Sequence, residues 1–90
     1  MENDRPQKKP NVHARKLGDE WLLYDPETER LHIVNQTAEY VWRLCDGKNS
    51  LEKIKAELRT RYDIADEQQL HNDLTSILNE FDQIGVLQGS

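Results

Sequence analysis

The sequence predicts an α+β domain of the winged helix-turn-helix type, in which a β-hairpin or a three-stranded antiparallel sheet precedes three helices. Two short apolar runs, residues 21–24 and 31–34, are joined by a polar turn, and three amphipathic segments follow them. Ninety residues fit one domain. We expect a flexible basic arm at residues 1–11, a single domain at residues 12–87 and a tail at residues 88–90.

The strands are predicted from the types of residue that they contain. Residues 12–17 alternate weakly and suit a short edge strand, which Gly18 and the aspartate after it turn into the first apolar run. Both apolar runs carry aromatic or β-branched residues, and residues 25–28 form the turn between them, with Pro26 fixing its own φ. Because the two runs are continuously apolar, we expect one buried face and a second apolar surface on the other side.

Three helices are predicted from cap residues and apolar periodicity. Asn35 is a suitable N-cap for the first helix, which we expect to end at Gly47, and Ser50 is a suitable N-cap for the second. The third helix is expected to begin at Asp66, where a glutamine three residues later resembles a capping box, and to end before Gly85. The valine and leucine that follow are expected to fold back on the helix end.

Charge and cysteine content restrict the function. The net charge is −5, yet residues 1–16 hold five Lys or Arg against two acids, whereas residues 17–90 hold seven against fifteen. An acidic body argues against nucleic acid as the main partner, since binding to phosphates requires cations. One cysteine cannot form an intramolecular disulfide, and the sequence shows neither a membrane span nor the apolar core of a signal peptide. We therefore expect a cytoplasmic protein.

The order and spacing of several motifs are similar to those of a known family. The motifs are Trp-Leu-Leu-Tyr-x-Pro-Glu in the hairpin, Asn-x-Thr-Ala at residues 35–38, Leu-Cys-Asp-Gly at residues 44–47, and Gly-Val-Leu after the long last helix. Over roughly residues 12–87 the chain resembles the pyrroloquinoline quinone synthesis protein D (PqqD) family. Members of this family bind the leader of a ribosomally made precursor peptide and present it to a maturase, often a radical S-adenosylmethionine enzyme.

The resemblance implies that a leader peptide adds as an antiparallel strand beside the third strand, in a groove walled by the third helix. An edge strand offers unpaired backbone groups for such an addition, and side-chain pockets beside it select the partner. The expected pairing residues are Leu31, His32, Ile33 and Val34. The expected helical wall is His71, Leu74, Thr75 and Leu78, although Leu74 and Leu78 equally fit a core. Neither catalysis nor a cofactor is expected, and the pathway is that of pyrroloquinoline quinone or a related peptide product.

Two other functions remain open at this point. Winged-helix domains commonly bind DNA, but the third helix has five acids and no Lys or Arg, whereas a recognition helix needs cationic or amide groups. An adaptor could instead dock on an acidic enzyme through the basic side chains of the second helix, unless these only solvate an exposed face. Those side chains are Lys53, Lys55, Arg59 and Arg61.

The remaining reactive residues favour structural roles. Cys45 lies on an apolar helical face and is expected to be a buried thiol. The spacing of Cys45 and the three histidines matches no compact metal site. His32 is either an exposed histidine or a contact to a leader carboxylate, and both tryptophans are expected to pack in the core or on the hairpin. The basic arm is disordered, packs on its own body, or swaps between two copies, so that the protein is a monomer or a weak dimer.

Overall fold

A computed structural model describes residues 5–63 and 66–88 and confirms the predicted α+β architecture. The elements are β1 (His13–Leu17), β2 (Glu20–Asp25), β3 (Arg30–Val34), α1 (Gln36–Leu44), α2 (Leu51–Tyr62) and α3 (Glu67–Ile84). The predicted arm and tail extend into residues 1–4 and 89–90, which lie outside the described residues. Within the described ranges, no helix combines the length and apolar character that crossing a membrane requires.

The sheet is antiparallel with the order β1-β2-β3, and its turns are those that the sequence indicates. Gly18 has a φ of +59° between β1 and β2, a left-handed conformation that glycine adopts without a steric penalty. Between β2 and β3, the backbone N–H of Glu27 donates a hydrogen bond of 3.0 Å to the buried carboxylate of Asp25. This bond stabilises the turn that contains Pro26.

Strand alternation gives the sheet an inner face toward the helices and an outer face away from them. Leu23 is fully buried on the inner face, next to its register partners Ala14 and His32. The apolar side chains of the outer face are Leu17, Leu22, Tyr24, Leu31 and Ile33. Leu22 is half-buried and the other four are exposed, which confirms the expected second apolar surface.

Each helix begins at the N-cap that the sequence predicts. The side chain of Asn35 accepts a backbone hydrogen bond of 2.8 Å, that of Ser50 accepts one of 3.2 Å, and that of Asp66 accepts two. At the start of α3, the structure contains the half of the predicted capping box in which the Asp66 carboxylate accepts from the backbone N–H of Gln69. The side-chain amide N–H of Gln69 donates a hydrogen bond of 2.9 Å to Asp73 one turn further along.

The helix ends match the glycine signals only in part. Gly85 ends α3 with a φ of +77°, and the two apolar residues after it are buried, as predicted. Helix α1 instead ends at Leu44, before the predicted Gly47. Gly47 has a φ of +80°, and a Cβ there would lie 3.0 Å from the side chain of Gln7, so this glycine allows the arm to approach closely.

One hydrophobic core lies between the inner face of the sheet and the three helices. Its buried members are Val12, Leu23, Val34, Ala38, Val41, Trp42, Cys45, Ile54, Leu58, Leu70, Leu74, Phe81, Val86 and Leu87. Trp21 is partly buried and packs against this cluster. Trp42 is therefore a core residue and Trp21 packs against the core, which agrees with the prediction.

Residues 6–9 of the arm lie between the loop after α1 and the segment after α3. Four backbone hydrogen bonds of 2.6–3.0 Å hold them there. The N–H groups of Lys8 and Lys9 donate to the carbonyls of Cys45 and Val86, respectively. The carbonyls of Pro6 and Gln7 accept from the N–H groups of Gly47 and Gln88, respectively. The expectation of a flexible arm is corrected for these residues, since their backbone polar groups find partners on both sides. Packing on the protein's own body is the alternative that the structure contains.

The arm should therefore contribute to stability. Deleting residues 1–9 removes four backbone hydrogen bonds, each worth about 0.5–1.5 kcal/mol net, and should lower the free energy of unfolding by roughly 2–6 kcal/mol. Urea denaturation followed by circular dichroism measures this change. Deleting residues 1–4 is the control, because it leaves the four bonds in place, and equal stability of both truncated proteins would contradict the prediction.

Candidate functional site

The third strand forms one of the two edges of the sheet, and the first strand forms the other. Among the described residues, β3 pairs with β2 on one side and with no strand on the other. Alternate residues of an edge strand point their N–H and C=O groups outward, so β3 offers backbone groups to a further strand. The residues predicted for pairing lie on this edge, with Leu31 60% and Ile33 52% exposed on the outer face and Val34 buried on the inner face.

An open cleft of about 340 Å³ lies where β3 passes into α1, against the middle of α3. Asn35 and Thr37 line one side of it, and Asp73, Ser76 and Ile77 line the other. Ile77 supplies an apolar wall, while the hydroxyl groups and the carboxylate supply hydrogen-bond acceptors. The cleft therefore suits a side chain that has an apolar body and a donating tip.

The helical residues that the sequence predicted for this wall do not line the cleft. Leu74 is buried in the core and Leu78 packs half-buried against it, while His71 and Thr75 are exposed. Successive residues are about 100° apart around a helix. These four positions therefore extend from the core face of α3 to one flank of it, whereas the residues lining the cleft lie on the other flank. Asp73, Ser76 and Ile77 thus each lie two positions after a predicted wall residue, which is about 160° around the helix, and the predicted wall itself stays a prediction.

The cleft residues were missed because the sequence signal was ambiguous. Ile77 belongs to the same apolar stripe as the core leucines, and only the polar residues beside it, Asp73 and Ser76, distinguish it from them. A helix whose stripe covers a wide arc can turn either flank toward a neighbouring strand. Only the contact between α3 and the junction of β3 with α1 selects one flank.

His32 occupies a different environment from the one expected. Its side chain lies on the inner face opposite Leu23, is half-buried, and has an enclosed Nε2 with no hydrogen-bond partner among the described residues. The expectation of an exposed histidine is therefore wrong for the side chain, whereas the contact to a leader carboxylate stays a prediction. The backbone of His32 still belongs to the edge strand.

The four basic side chains proposed for enzyme docking on α2 already have partners within the chain. Lys53 pairs with Glu57 at 3.4 Å, Lys55 with Glu52 at 3.2 Å and Arg59 with Glu67 at 2.7 Å, and the Arg61 guanidinium lies 4.4 Å from the centroid of the Tyr40 ring. These interactions favour the alternative in which the charges stabilise and solvate the helix surface.

The buried carboxylates and the buried thiol are the side chains to consider for catalysis, and each lies in an environment typical of a structural role. The buried carboxylate of Asp25 holds its turn, and that of Glu39 accepts hydrogen bonds of 3.1 and 3.0 Å from Arg43, which raise the pKa of that guanidinium. Burial raises the pKa of the Cys45 thiol to about 12, which keeps it protonated and unreactive at neutral pH. Within residues 5–63 and 66–88, no three His, Cys, Asp or Glu side chains come together to hold a metal ion.

The charge on α3 does not suit a DNA recognition helix. From its N-cap onward α3 carries acids and no Lys or Arg, and the acids are Asp66, Glu67, Asp73, Glu80 and Asp82. All five are exposed, so this helix would repel a phosphate backbone. The same surface suits a ligand that donates hydrogen bonds or carries positive charge.

Comparison with known proteins identifies the family. The model of the family described as Coenzyme PQQ synthesis protein D (PqqD) matches residues 20–87, which is more than half of the chain. The chain belongs to the PqqD family. The expected resemblance is thereby confirmed, whereas no curated protein sequence gives a significant match.

The PqqD-family chain also shares its fold with a solved structure titled "TbiB1 in Complex with the TbiA(beta) Leader Peptide". The TM-score is 0.77 at 19% sequence identity, and the alignment covers 93% of this chain and 96% of that chain. The range matched to the PqqD family begins at β2 and ends after α3. It therefore includes the free edge of β3 and all residues of the cleft, while β1 and the arm lie outside it.

The expected lack of reactivity of the buried thiol in this PqqD-family protein can be tested directly. Because only the thiolate reacts, Ellman's reagent at pH 8 should leave native Cys45 unmodified while it labels the urea-unfolded protein fully. The folded pKa is about 12 against the ordinary 9.0, so this group's contribution to stability is complete below pH 9 and is lost as the pH rises toward 12. Rapid labelling of the native protein would contradict the burial of Cys45.

Proposed function

We propose that this PqqD-family protein binds the leader segment of a ribosomally made precursor peptide and presents the precursor to a modifying enzyme. The leader adds as an antiparallel strand to the free edge of β3, where it pairs with the backbone of Leu31, His32, Ile33 and Val34. One of its side chains enters the cleft that Asp73, Ser76 and Ile77 line. The protein itself catalyses nothing and needs no cofactor.

The observation that carries this proposal is a free strand edge beside an open cleft. Backbone pairing gives affinity in strand addition, and adjacent pockets give specificity. TbiB1, which has the same fold, was solved in complex with a leader peptide. Membership of the PqqD family points to the same function, and the acidic α3 argues against the DNA-binding alternative.

The expected affinity is moderate. A few added backbone hydrogen bonds contribute roughly 0.5–1.5 kcal/mol each, and two or three buried leader side chains add to them, which is consistent with micromolar binding at about −8 kcal/mol. Such an affinity suits a peptide that must pass to another protein. The modifying enzyme implied by the family resemblance is a radical S-adenosylmethionine maturase or another peptide-modifying enzyme.

The chemistry of the cleft defines the leader residue that it accepts. Ile77 offers an apolar surface to a ligand, while the carboxylate of Asp73 and the hydroxyl groups of Ser76 and Thr37 offer hydrogen-bond acceptors. A tyrosine, lysine or arginine combines an apolar body with a donating tip. We therefore infer that such a residue occupies the cleft in the bound leader.

A heteronuclear NMR titration with the leader of the precursor peptide encoded beside this gene tests the proposal. We expect saturable shifts at residues 31–37 and 73–77, because these residues form the edge and the cleft. A short random DNA duplex, titrated in parallel, should cause no such shifts. Shifts from the duplex centred on α2, with none from the leader, would overturn the proposal in favour of DNA binding.

A pair of tryptophan substitutions tests which flank of α3 the leader contacts. Ser76 and Thr75 are neighbouring exposed residues, but only Ser76 lines the cleft. Ser76→Trp should fill the cleft and weaken leader binding about tenfold or more by steric exclusion, whereas Thr75→Trp should bind like the wild type. Fluorescence anisotropy of a labelled leader measures both, and the reverse pattern would restore the wall of His71, Leu74, Thr75 and Leu78.

A further inference from the structure

The outer face of the sheet is an apolar surface that leader pairing at the edge of β3 leaves uncovered. Four of its large apolar side chains are exposed, with Leu31 at 60%, Ile33 at 52%, Leu17 at 46% and Tyr24 at 36%. Contiguous exposed apolar surface on a small protein usually marks an interaction site. We propose, on the basis of the proposed function, that this face docks the modifying enzyme. The enzyme would present an apolar patch flanked by its own carboxylates.

Two of the three rows that the strand register places on the outer face change from basic to apolar, while the third pairs Leu17 with Glu20. One row runs from His13 through Tyr24 to Leu31, and the other from Arg15 through Leu22 to Ile33. A shallow depression of about 380 Å³ opens over five of these residues, together with Ala14. Along these two rows, the β1 end therefore suits carboxylates of a partner, and the β2 and β3 end suits apolar groups.

This pattern does not suit a second copy of the same chain. If two outer faces pack about a twofold axis parallel to the strands, Arg15 lies over the aliphatic β3 of the other copy and loses its hydration without a carboxylate to replace it. If the axis is perpendicular to the strands, β1 lies over β1 and cations meet cations. Each chain also carries a net charge of −5, which opposes self-association.

The outer face is continuous with the proposed leader site. A strand added at the edge of β3 extends the same sheet, and every second leader side chain then points to the outer face beside Leu31 and Ile33. An enzyme docked on this face would contact the protein and its bound leader together. Enzyme affinity should consequently be higher for the leader complex than for the protein alone.

Two substitutions on the outer face separate enzyme docking from leader binding. Tyr24→Ser removes an apolar contact and Arg15→Glu reverses the charge of an exposed rim residue, and neither residue lies on the β3 edge or in the cleft. The probes are the leader and the modifying enzyme encoded beside this gene. Labelled leader is measured by anisotropy, enzyme binding to the leader complex by isothermal titration calorimetry, and folding by circular dichroism.

We expect each substitution to weaken enzyme binding about tenfold or more while the leader Kd stays within about twofold of the wild type. Lys53→Glu, on the exposed surface of α2, is the matched control and should change neither affinity. Unchanged enzyme binding in both variants, or an enzyme that does not bind the wild-type complex, would overturn docking and leave leader binding intact.

Two other results would overturn the inference in different ways. A wild-type protein that does not bind the leader would remove the proposed function, and the docking inference with it. A wild-type dimer in sedimentation experiments that Tyr24→Ser abolishes would assign the outer face to a second copy of this chain.

Discussion

The burial of Leu23 at the centre of the sheet is the constraint on which the rest of the structure depends. A shift of one residue in the register of β2 would move Leu23 to solvent and turn Leu22 and Tyr24 toward the helices. With Leu23 fixed on the inner face, all three helices pack on one side of the sheet. The outer face and the edge of β3 then stay open, and these are the surfaces available to partners.

The ends of the chain complete the domain. The segment after α3 would present unpaired backbone groups if residues 6–9 did not lie beside it, and the same residues pair with the loop after α1. Lys8 also places its ammonium 5.5 Å from the centroid of the Trp42 ring. A domain of this size has few residues to bury. Residues 6–9 therefore help to cover the core, although their sequence resembles that of a linker.

Charge is divided between the surfaces in a way that fits two different partners. The α3 side of the molecule is acidic and borders the cleft, whereas β1 places His13 and Arg15 on the outer face. Because Lys53, Lys55 and Arg59 of α2 pair with acids of the same chain, they add little net field of their own. A donating leader and an acidic enzyme surface could thus occupy opposite sides of the sheet without competing for the same charges.

The sequence by itself determined the element order, the three N-caps, the turn glycine Gly18 and the helix end at Gly85, because these depend on local conformational preferences. It also indicated the family and the edge strand. Tertiary structure decided the flank of α3 that faces the cleft, the inward side chain of His32 and the docking of residues 6–9. These features depend on contacts between residues far apart in the chain, for which neither helical periodicity nor local composition carries a signal.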